Sequence, residues 1–244
     1  MEGVGYTDAG GDVVVSVEIL HIDCMEYMAT LPDKAFDLAI VDPPYFDVSE
    51  DRNYLSPGSK MSSTGVARHT ADFKTLEKPT SDYFNELFRV SENQIIWGSN
   101  YYVGICLPVG RVVWDKQSDD SSFGDGEIAV CSFIKTTRFF RFRWNGMLQG
   151  DMKNKEVRIH PNQKPIKLYE WLLTNYAKPG QRILDTHLGS GSSAIAAHYF
   201  GVDFVGCELD ADYYSAAKKR FEQASSQIAM GFDYCVPLVS AGDV

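Results

Sequence analysis

Residues 182–200 read RILDTHLGSGSSAIAAHYF, and this stretch decides the fold. Residues 182–185 have the content of a short buried strand, and the small residues from Ser192 onward favour a closely packed helix. Between them, Gly189 and Gly191 permit a tight turn whose backbone can approach a ligand. The free N–H groups at the start of the helix would bind a carboxylate or phosphate. The stretch therefore predicts a nucleoside-cofactor turn in an α/β fold.

The cofactor itself is left open by this turn. Glu208 ends the next predicted strand, 19 residues after Gly189, which suits a carboxylate that binds ribose hydroxyls. Residues 189–194 also fit G-x-G-x-x-A, the fingerprint of dinucleotide-binding folds. The turn alone is thus compatible with NAD, with S-adenosylmethionine, or with a purely structural role.

A second stretch, AIVDPPYFD at residues 39–47, places two prolines directly after an apolar run. Proline fixes φ and lacks a backbone donor, so this segment cannot continue a sheet or begin an ordinary helix. It predicts a rigid shelf with the Asp42 carboxylate at one end and the Tyr45 ring at the other. The structural alternatives are that Asp42 caps a turn and that Tyr45 is a core residue.

The remainder of the chain alternates predicted strands and helices, which favours a mainly parallel sheet with helices on both faces. The predicted strands are 13–22, 37–41, 95–98, 111–114, 128–134, 137–144, 182–185 and 204–208, and the predicted helices are 82–90, 165–177, 192–200 and 211–223. We expect one domain over residues 1–244. The polar segments 47–80 and 145–160 lack a clear period and are predicted to be loops.

Composition excludes several classes of protein. The 244 residues are 44% apolar, the five cysteines form no C-x-x-C pair, and no run of about 18 apolar residues occurs. We therefore expect neither a zinc cluster nor a disulfide framework, no metal and no membrane span. The first twelve residues lack the pattern of a secretion signal, so the expected location is the cytoplasm.

Charge is distributed unevenly along the chain. The net charge is −10, but between Lys135 and Lys167 nine Lys and Arg residues face two acidic residues, a local balance of +7. A basic stripe on an acidic body can hold a polyanion, although it can also be a solvated face. Arg138, Arg141 and Arg143 alternate with aromatic residues, so one face of that strand should pack while the other meets phosphate.

Three motifs in one order make the chain resemble a known family. Asp42-Pro43-Pro44-Tyr45 comes first, residues 160–165 (HPNQKP) follow, and residues 185–191 (DTHLGSG) come last. This arrangement resembles the β group of DNA adenine-N6 methyltransferases, whose motif order is permuted, and the likeness to its phage-type members extends from about residue 21 to residue 221. The resemblance implies a single-domain, Rossmann-like fold that transfers a methyl group from S-adenosylmethionine to adenine N6 in double-stranded DNA.

The resemblance also implies roles for individual residues. The catalytic residues would be Asp42, Pro43, Pro44 and Tyr45. The cofactor-binding residues would be Asp23, Asp185, His187, Gly189, Ser190, Gly191, Glu208, Asn162, Gln163 and Lys164. The candidates for DNA contact are the loops 47–80 and 145–160, together with Arg138, Arg141, Arg143, Lys60 and Arg68. Asp23 could instead cap the following helix, and Lys164 with its neighbours could only fix the start of the next one.

The chain departs from the family at Thr186 and His187, where other members usually carry Pro and Phe. His187 could wall the cofactor with its ring. The rival functions are cytosine-N4 methylation, for which Ser in place of Asp42 is more usual, and methylation of RNA adenine or of a protein glutamine amide. An NAD-dependent oxidoreductase and a catalytically silent nucleic-acid-binding protein are alternatives from other classes. A homodimer and a cognate restriction enzyme are the further partners to consider.

Overall fold

The computed structural model describes residues 15–45, 78–118, 124–145 and 148–228. The strands are β1 Val17–His21, β2 Phe36–Val41, β3 Ser91–Trp97, β4 Gly110–Asp115, β5 Gly126–Cys131, β6 Thr137–Arg141, β7 Trp144–Asn145, β8 Leu148–Gln149, β9 Arg182–Asp185 and β10 Asp203–Glu208. The helices are α1 Cys24–Ala29, α2 Ser81–Val90, α3 Ile166–Tyr176, α4 Ser192–Phe200 and α5 Ala211–Ile228. Among these helices, none combines the length and apolar character needed to cross a membrane.

Eight strands form one sheet in the order β1-β10-β9-β2-β3-β5-β4-β6, and β7 pairs with β8 in a separate ribbon. The first five strands are mutually parallel, β5 runs antiparallel to both neighbours, and β6 is parallel to β4. The mainly parallel sheet confirms the predicted fold class. The position of β5 between β3 and β4 puts its first residues at the same edge as the carboxyl ends of the other strands.

Helices cover both faces of this sheet. On one face, α3, α4 and α5 contribute Leu168, Ala194 and Ala217 to the larger core. On the other face, α1 and α2 contribute Met28 and Phe84 to a second core. Strand β2 is buried almost throughout because helices lie on both sides of it, and its sequence FDLAIV is accordingly an apolar run rather than an alternating one.

Several predicted boundaries were wrong. Strand β3 begins at Ser91, four residues before the predicted start, because the Ser91 hydroxyl donates to the carbonyl of Leu87 and can therefore be buried. The predicted strand 137–144 ends at Arg141. Beyond it, Trp144 turns into the two-stranded ribbon and donates its indole N–H to the carbonyl of Gln163 at 3.0 Å.

Candidate active site

Two neighbouring parallel strands bring the predicted motifs together. Leu38 of β2 pairs with Ile183 of β9, and the chain then proceeds from β9 to β10 on one side but from β2 to β3 on the other. Such a reversal leaves a crevice outside the carboxyl ends of the two strands, which is where open α/β sheets bind ligands. Asp42 and Thr186 directly follow the two strands. The proline shelf and the glycine turn, about 140 residues apart in sequence, therefore open onto one crevice.

The proline shelf is held by the segment that follows β3. The Tyr102 hydroxyl donates to the carbonyl of Pro43 at 2.8 Å. The Tyr45 ring stacks on Tyr101 with centroids 5.1 Å apart and an angle of 12° between the planes. Gly98, with φ of +68°, lies against the same ring, and a Cβ at this position would overlap it. The backbone of the shelf and its aromatic ring are thus both fixed by contacts.

A chain of alternating charges surrounds Asp42. The Lys164 ammonium lies 2.6 Å from Asp42 Oδ2 and 2.7 Å from Glu127 Oε2. Lys116 lies 2.6 Å from the other oxygen of Glu127. The Tyr45 hydroxyl donates to Asp42 Oδ1 and also receives a hydrogen bond from Lys164 at 3.0 Å. Two carboxylates and two ammonium groups therefore form a neutral cluster beside the shelf.

The two carboxyls of this cluster titrate differently. Burial raises the pKa of Asp42, and Glu127 adds to that rise while Lys164 opposes it. Burial also acts to raise the pKa of Glu127, but Lys164 and Lys116 together lower it to about 2. Although burial alone would lower it, the two carboxylates hold the pKa of Lys164 above its ordinary value. Of the two carboxyls, Asp42 is consequently the one with the greater affinity for a proton.

The glycine turn has the backbone that a close ligand requires. Gly189 and Gly191 have φ of +54° and +73°, a region that favours glycine. The Gly189 N–H donates to Glu208 at 2.8 Å, and the Ser193 hydroxyl donates to Asp185 at 2.6 Å. Burial raises the pKa of Asp185 to about 7. Acidic side chains thus stabilise the turn from both of the strands that flank it.

The unusual pair Thr186 and His187 forms a wall of this crevice. The hydroxyls of Thr186 and Tyr83 lie 2.6 Å apart, and Thr186 also contacts the imidazole of His187 at 2.9 Å. Tyr83 and His187 pack edge to face with centroids 5.5 Å apart. Burial lowers the pKa of His187 to about 4, so this ring is neutral at pH 7. A neutral ring can provide the apolar surface that Phe provides elsewhere.

Comparison with known proteins decides the family. The sequence profile of the DNA methylase family, which covers N6 and N4 methyltransferases, matches residues 70–219. The chain belongs to this family. This membership confirms the predicted activity, which is the S-adenosylmethionine-dependent methylation of DNA.

Curated relatives and solved structures agree with this membership. The methylase is 24% identical over 248 residues to the type II methyltransferase M.HinfI of Haemophilus influenzae, covering 84% of this chain and 68% of that protein. It is 26% identical to the putative methylase YubD of Escherichia coli K12, covering 88% and 96%. A putative DNA modification methylase of Thermus thermophilus shares the fold, with a TM-score of 0.53, 18% identity, and coverage of 85% and 94%. The cytosine-N4-specific PvuII DNA methyltransferase also shares it, with a TM-score of 0.55, 11% identity, and coverage of 88% and 93%.

Several residues predicted to bind the cofactor have other partners in the methylase. Asp23 caps α1, since its carboxylate accepts from the amides of Met25 and Glu26 at 2.7 and 3.1 Å. Gln163 is buried, and its side-chain amide bonds to the backbone of residues 159 and 157. Lys164 pairs with carboxylates of the catalytic side rather than with the glycine turn. Asn162 is exposed at the surface of the same segment.

His160 is a crevice residue that the sequence analysis did not select. Its ring lies 3.6 Å from the position that a Cβ of Gly189 would occupy, and it packs edge to face on Tyr213 with centroids 4.4 Å apart. Burial lowers the pKa of His160 to about 4. Its place at the head of the HPNQKP segment was the available signal.

Lys116 and Glu127 were also missed as site residues. Lys116 directly follows Asp115, the last residue of β4, and Glu127 is the one charge of the otherwise apolar strand β5. That pattern is a usable signal, because a charge in a buried strand requires a partner. Among the described residues, no group of three or more His, Cys, Asp or Glu side chains could hold a metal ion.

The predicted DNA-contacting arginines lie on the two faces of β6 and, in the case of Arg143, just beyond its end. Arg141 and Arg143 alternate with Phe140 and Phe142, which stack on each other and pack toward α3. Arg141 lies over the ring of Phe139 on the opposite, exposed side. Arg138 shares the face of Phe140 and lies toward the other end of the strand. Lys60, Arg68 and nearly all of the predicted loop 47–80 lie outside the described residues.

Proposed function

We propose that this methylase transfers a methyl group from S-adenosylmethionine to the N6 amino group of adenine in double-stranded DNA. The observation that carries the proposal is the juxtaposition of Asp42 and Pro43 with the glycine turn, at the point where β2 and β9 diverge. An amine held by the shelf would face a donor held by the turn.

The shelf offers what an exocyclic amine needs. The lone pair of such an amine is delocalised into the base, so its nitrogen is a poor nucleophile. The Asp42 carboxylate and the Pro43 carbonyl can each accept one N–H, which pulls the nitrogen toward tetrahedral geometry and aims the lone pair at the methyl group. Pro43 accepts one hydrogen bond from Tyr102 and keeps a second lone pair for the amine. The two prolines keep these acceptors from relaxing away.

Tyr45 and Asp42 complete the reaction at the base. The target adenine must leave the duplex, which costs a few kcal/mol, and stacking on the Tyr45 ring would offset part of that cost. As the methyl group leaves sulfur and bonds to the amine nitrogen, the nitrogen becomes cationic and acidic and must lose one proton. Asp42 would accept this proton, and its raised pKa favours the uptake.

The crevice fits S-adenosylmethionine, which supplies an electrophilic methyl group when bound. The positive-φ glycines leave space for a ligand against the backbone, and Glu208 lies beside them at the end of β10. We assign the cofactor site to Asp23, which caps α1 through Oδ1 alone, and to Asp185, His187, Gly189, Ser190, Gly191 and Glu208. Asn162 and Gln163 contribute by shaping the adjoining segment, and His160 is added as a ring over the turn.

Cytosine N4 is the second candidate target, because the fold is shared with a cytosine-N4-specific enzyme. Asp42 favours adenine, since Ser is more usual at this position in the N4 enzymes of the resembled family. A homodimer and a partner restriction enzyme stay predictions from that resemblance. The extent of the single domain over residues 1–244 and the contact of segments 47–80 and 145–160 with DNA also stay predictions.

Methyl transfer to genomic DNA from a host that lacks DNA methylation tests the proposal. Nucleosides from the product are separated by mass spectrometry, with matched double-stranded RNA as a second substrate. We expect N6-methyladenine in DNA with the wild type and none with Asp42→Ala. Thermal shift with S-adenosylhomocysteine should be the same for both proteins, and NAD should give no shift. N4-methylcytosine as the product would refute the base assignment, and cofactor binding without transfer would indicate a silent binding protein.

A further inference from the structure

Lys164 occupies a position that folding alone does not explain. Its side chain is 2% exposed, and its ammonium contacts three acceptors: Asp42, Glu127 and the hydroxyl of Tyr45. An ammonium group has three protons, so these contacts use its full donor capacity. Two of the three acceptors belong to the proline shelf, 122 and 119 residues away in sequence.

The cluster gives Glu127 two cationic partners but Asp42 only one. Glu127 has Lys116 at one carboxylate oxygen and Lys164 at the other. Asp42 has Lys164 as its ion-pair partner and the Tyr45 hydroxyl at its second oxygen. Removing Lys116 would leave Glu127 paired, whereas removing Lys164 would leave Asp42 as a buried carboxylate without a cation in the cluster. Such a carboxylate takes up a proton instead of remaining charged.

We propose that Lys164 is a positioning residue for methyl transfer, which acts by fixing the Asp42 carboxylate through Oδ2 and keeping it ionised, with Glu127 as the opposing charge. The proposal rests on the function proposed above. The sequence analysis assigned Lys164 to the cofactor site, whereas this proposal assigns it to the catalytic carboxylate of Asp42. It also gives Glu127 a defined effect, since this carboxylate shares the ammonium with Asp42 and repels its charge.

The other described groups that act on Asp42 do not mimic this effect. Within the described part of the chain, the charged and titratable residues that face Asp42 or interact with it electrostatically are Lys164, Glu127, Tyr45, Tyr102, Tyr169 and Asp185. Burial raises the pKa of the three tyrosines, so they remain neutral across the range of an activity assay. Asp185 is part of the glycine turn and unchanged in every variant below. The two groups that can be altered with opposite sign are thus Lys164 and Glu127.

The test compares pH profiles of kcat for four variants with that of the wild type. In Lys164→Met the positive charge is lost, so the acid limb, where Asp42 protonates, should move to higher pH and kcat should fall roughly 100-fold. In Glu127→Gln a negative charge is lost, so the acid limb should move to lower pH. Lys164→Arg should recover part of the lost kcat, because it restores the cation with different geometry. Lys167→Met removes an exposed lysine three residues away and should change neither quantity.

Binding measurements separate this role from a merely structural one. The affinity for S-adenosylhomocysteine should stay within about twofold in Lys164→Met, because the glycine turn is untouched. If Lys164→Met does not fold, the shift of the acid limb in Glu127→Gln decides the matter. Unchanged acid limbs in Lys164→Met or in Glu127→Gln, with an active wild type, would overturn this inference alone. An inactive wild type would overturn the proposed function and this inference with it.

Discussion

Tyr102 and Pro43 are joined by a hydrogen bond of 2.8 Å that fixes one of the two acceptors for the target amine. Tyr102 is 3% exposed, so water cannot readily replace its hydroxyl. Tyr102→Phe should therefore loosen the carbonyl and cost about 1 kcal/mol, a fivefold fall in kcat. Steady-state methylation assays check this, with S-adenosylhomocysteine affinity expected to stay constant.

A matched control for Tyr102→Phe is Tyr199→Phe, which removes a hydroxyl from the C-terminal end of α4. That end lies at the edge of the sheet opposite the site, because α4 begins at the glycine turn. The Tyr199 hydroxyl lies 3.4 Å from the carbonyl of Ala224. Equal losses of kcat in the two variants would argue against a role for the contact between Tyr102 and Pro43.

Gly98 is predicted to position the Tyr45 ring, on which the target base would stack. Gly98→Ala introduces a Cβ into the space of the Tyr45 ring, so kcat/KM for DNA should fall at least tenfold while cofactor binding remains. Gly104→Ala is the control, because Gly104 also has positive φ, +86°, but no atom within 4 Å of the added carbon. Both variants should lose about 1 kcal/mol of stability from backbone strain. If Gly104→Ala reduced activity as much, strain rather than the ring contact would be responsible.

Arg220 links the glycine turn to the segment before α3. It pairs with Glu156 at 2.6 Å and donates to the carbonyl of Ser190 at 2.8 Å. Arg220→Met leaves a mostly buried carboxylate without its cation, which should cost about 3 to 5 kcal/mol and lower Tm by roughly 10 °C. The double variant Arg220→Met with Glu156→Gln should recover much of this loss. Thermal unfolding measures both, and a double variant as unstable as the single one would contradict the explanation.

Asp185 should make stability depend on pH. Its folded pKa of about 7 lies above its ordinary value of 3.8, so the folded state binds more protons between these values and its contribution to stability is lost as pH rises through 7. Asp185→Asn removes this pH-dependent contribution to stability. The Tm of the variant minus that of the wild type should increase between pH 5 and pH 8. Taking the difference cancels the contributions of His160 and His187, and a difference that falls with pH would refute the assignment.

Arg141 and Arg143 are predicted to contact DNA phosphates. Replacing both with Gln should weaken DNA binding and reduce the slope of log K against log salt by about 2. The control is Lys218→Gln with Lys219→Gln, which removes the same charge from exposed positions of α5. Fluorescence anisotropy with one duplex at several salt concentrations compares them. Equal effects would show a general loss of charge rather than a contact at this face.

The parts of the fold that sequence predicted are those set by local pattern. The apolar run before Asp42 and the glycine turn after Asp185 each identify the end of a buried strand, and parallel strands bring such ends to one edge. The pairing of Lys164 with Asp42 could not be predicted, since it depends on how a segment 122 residues away crosses that edge. The antiparallel insertion of β5, which delivers Glu127, is likewise a property of the sheet order and not of the strand's own sequence.

Strand β6 forms the outer edge of the eight-stranded sheet, and among the described residues no strand pairs with its outer side. An open edge of this kind templates the addition of a strand from another molecule, and charged side chains are a common means of preventing it. Arg138 and Arg141 are exposed on this strand beside Phe139, which is itself 52% exposed. We therefore expect the arginines to protect the protein from aggregation even where they contact no nucleic acid. Replacing them with apolar residues would leave an uncharged, apolar sheet edge that promotes aggregation.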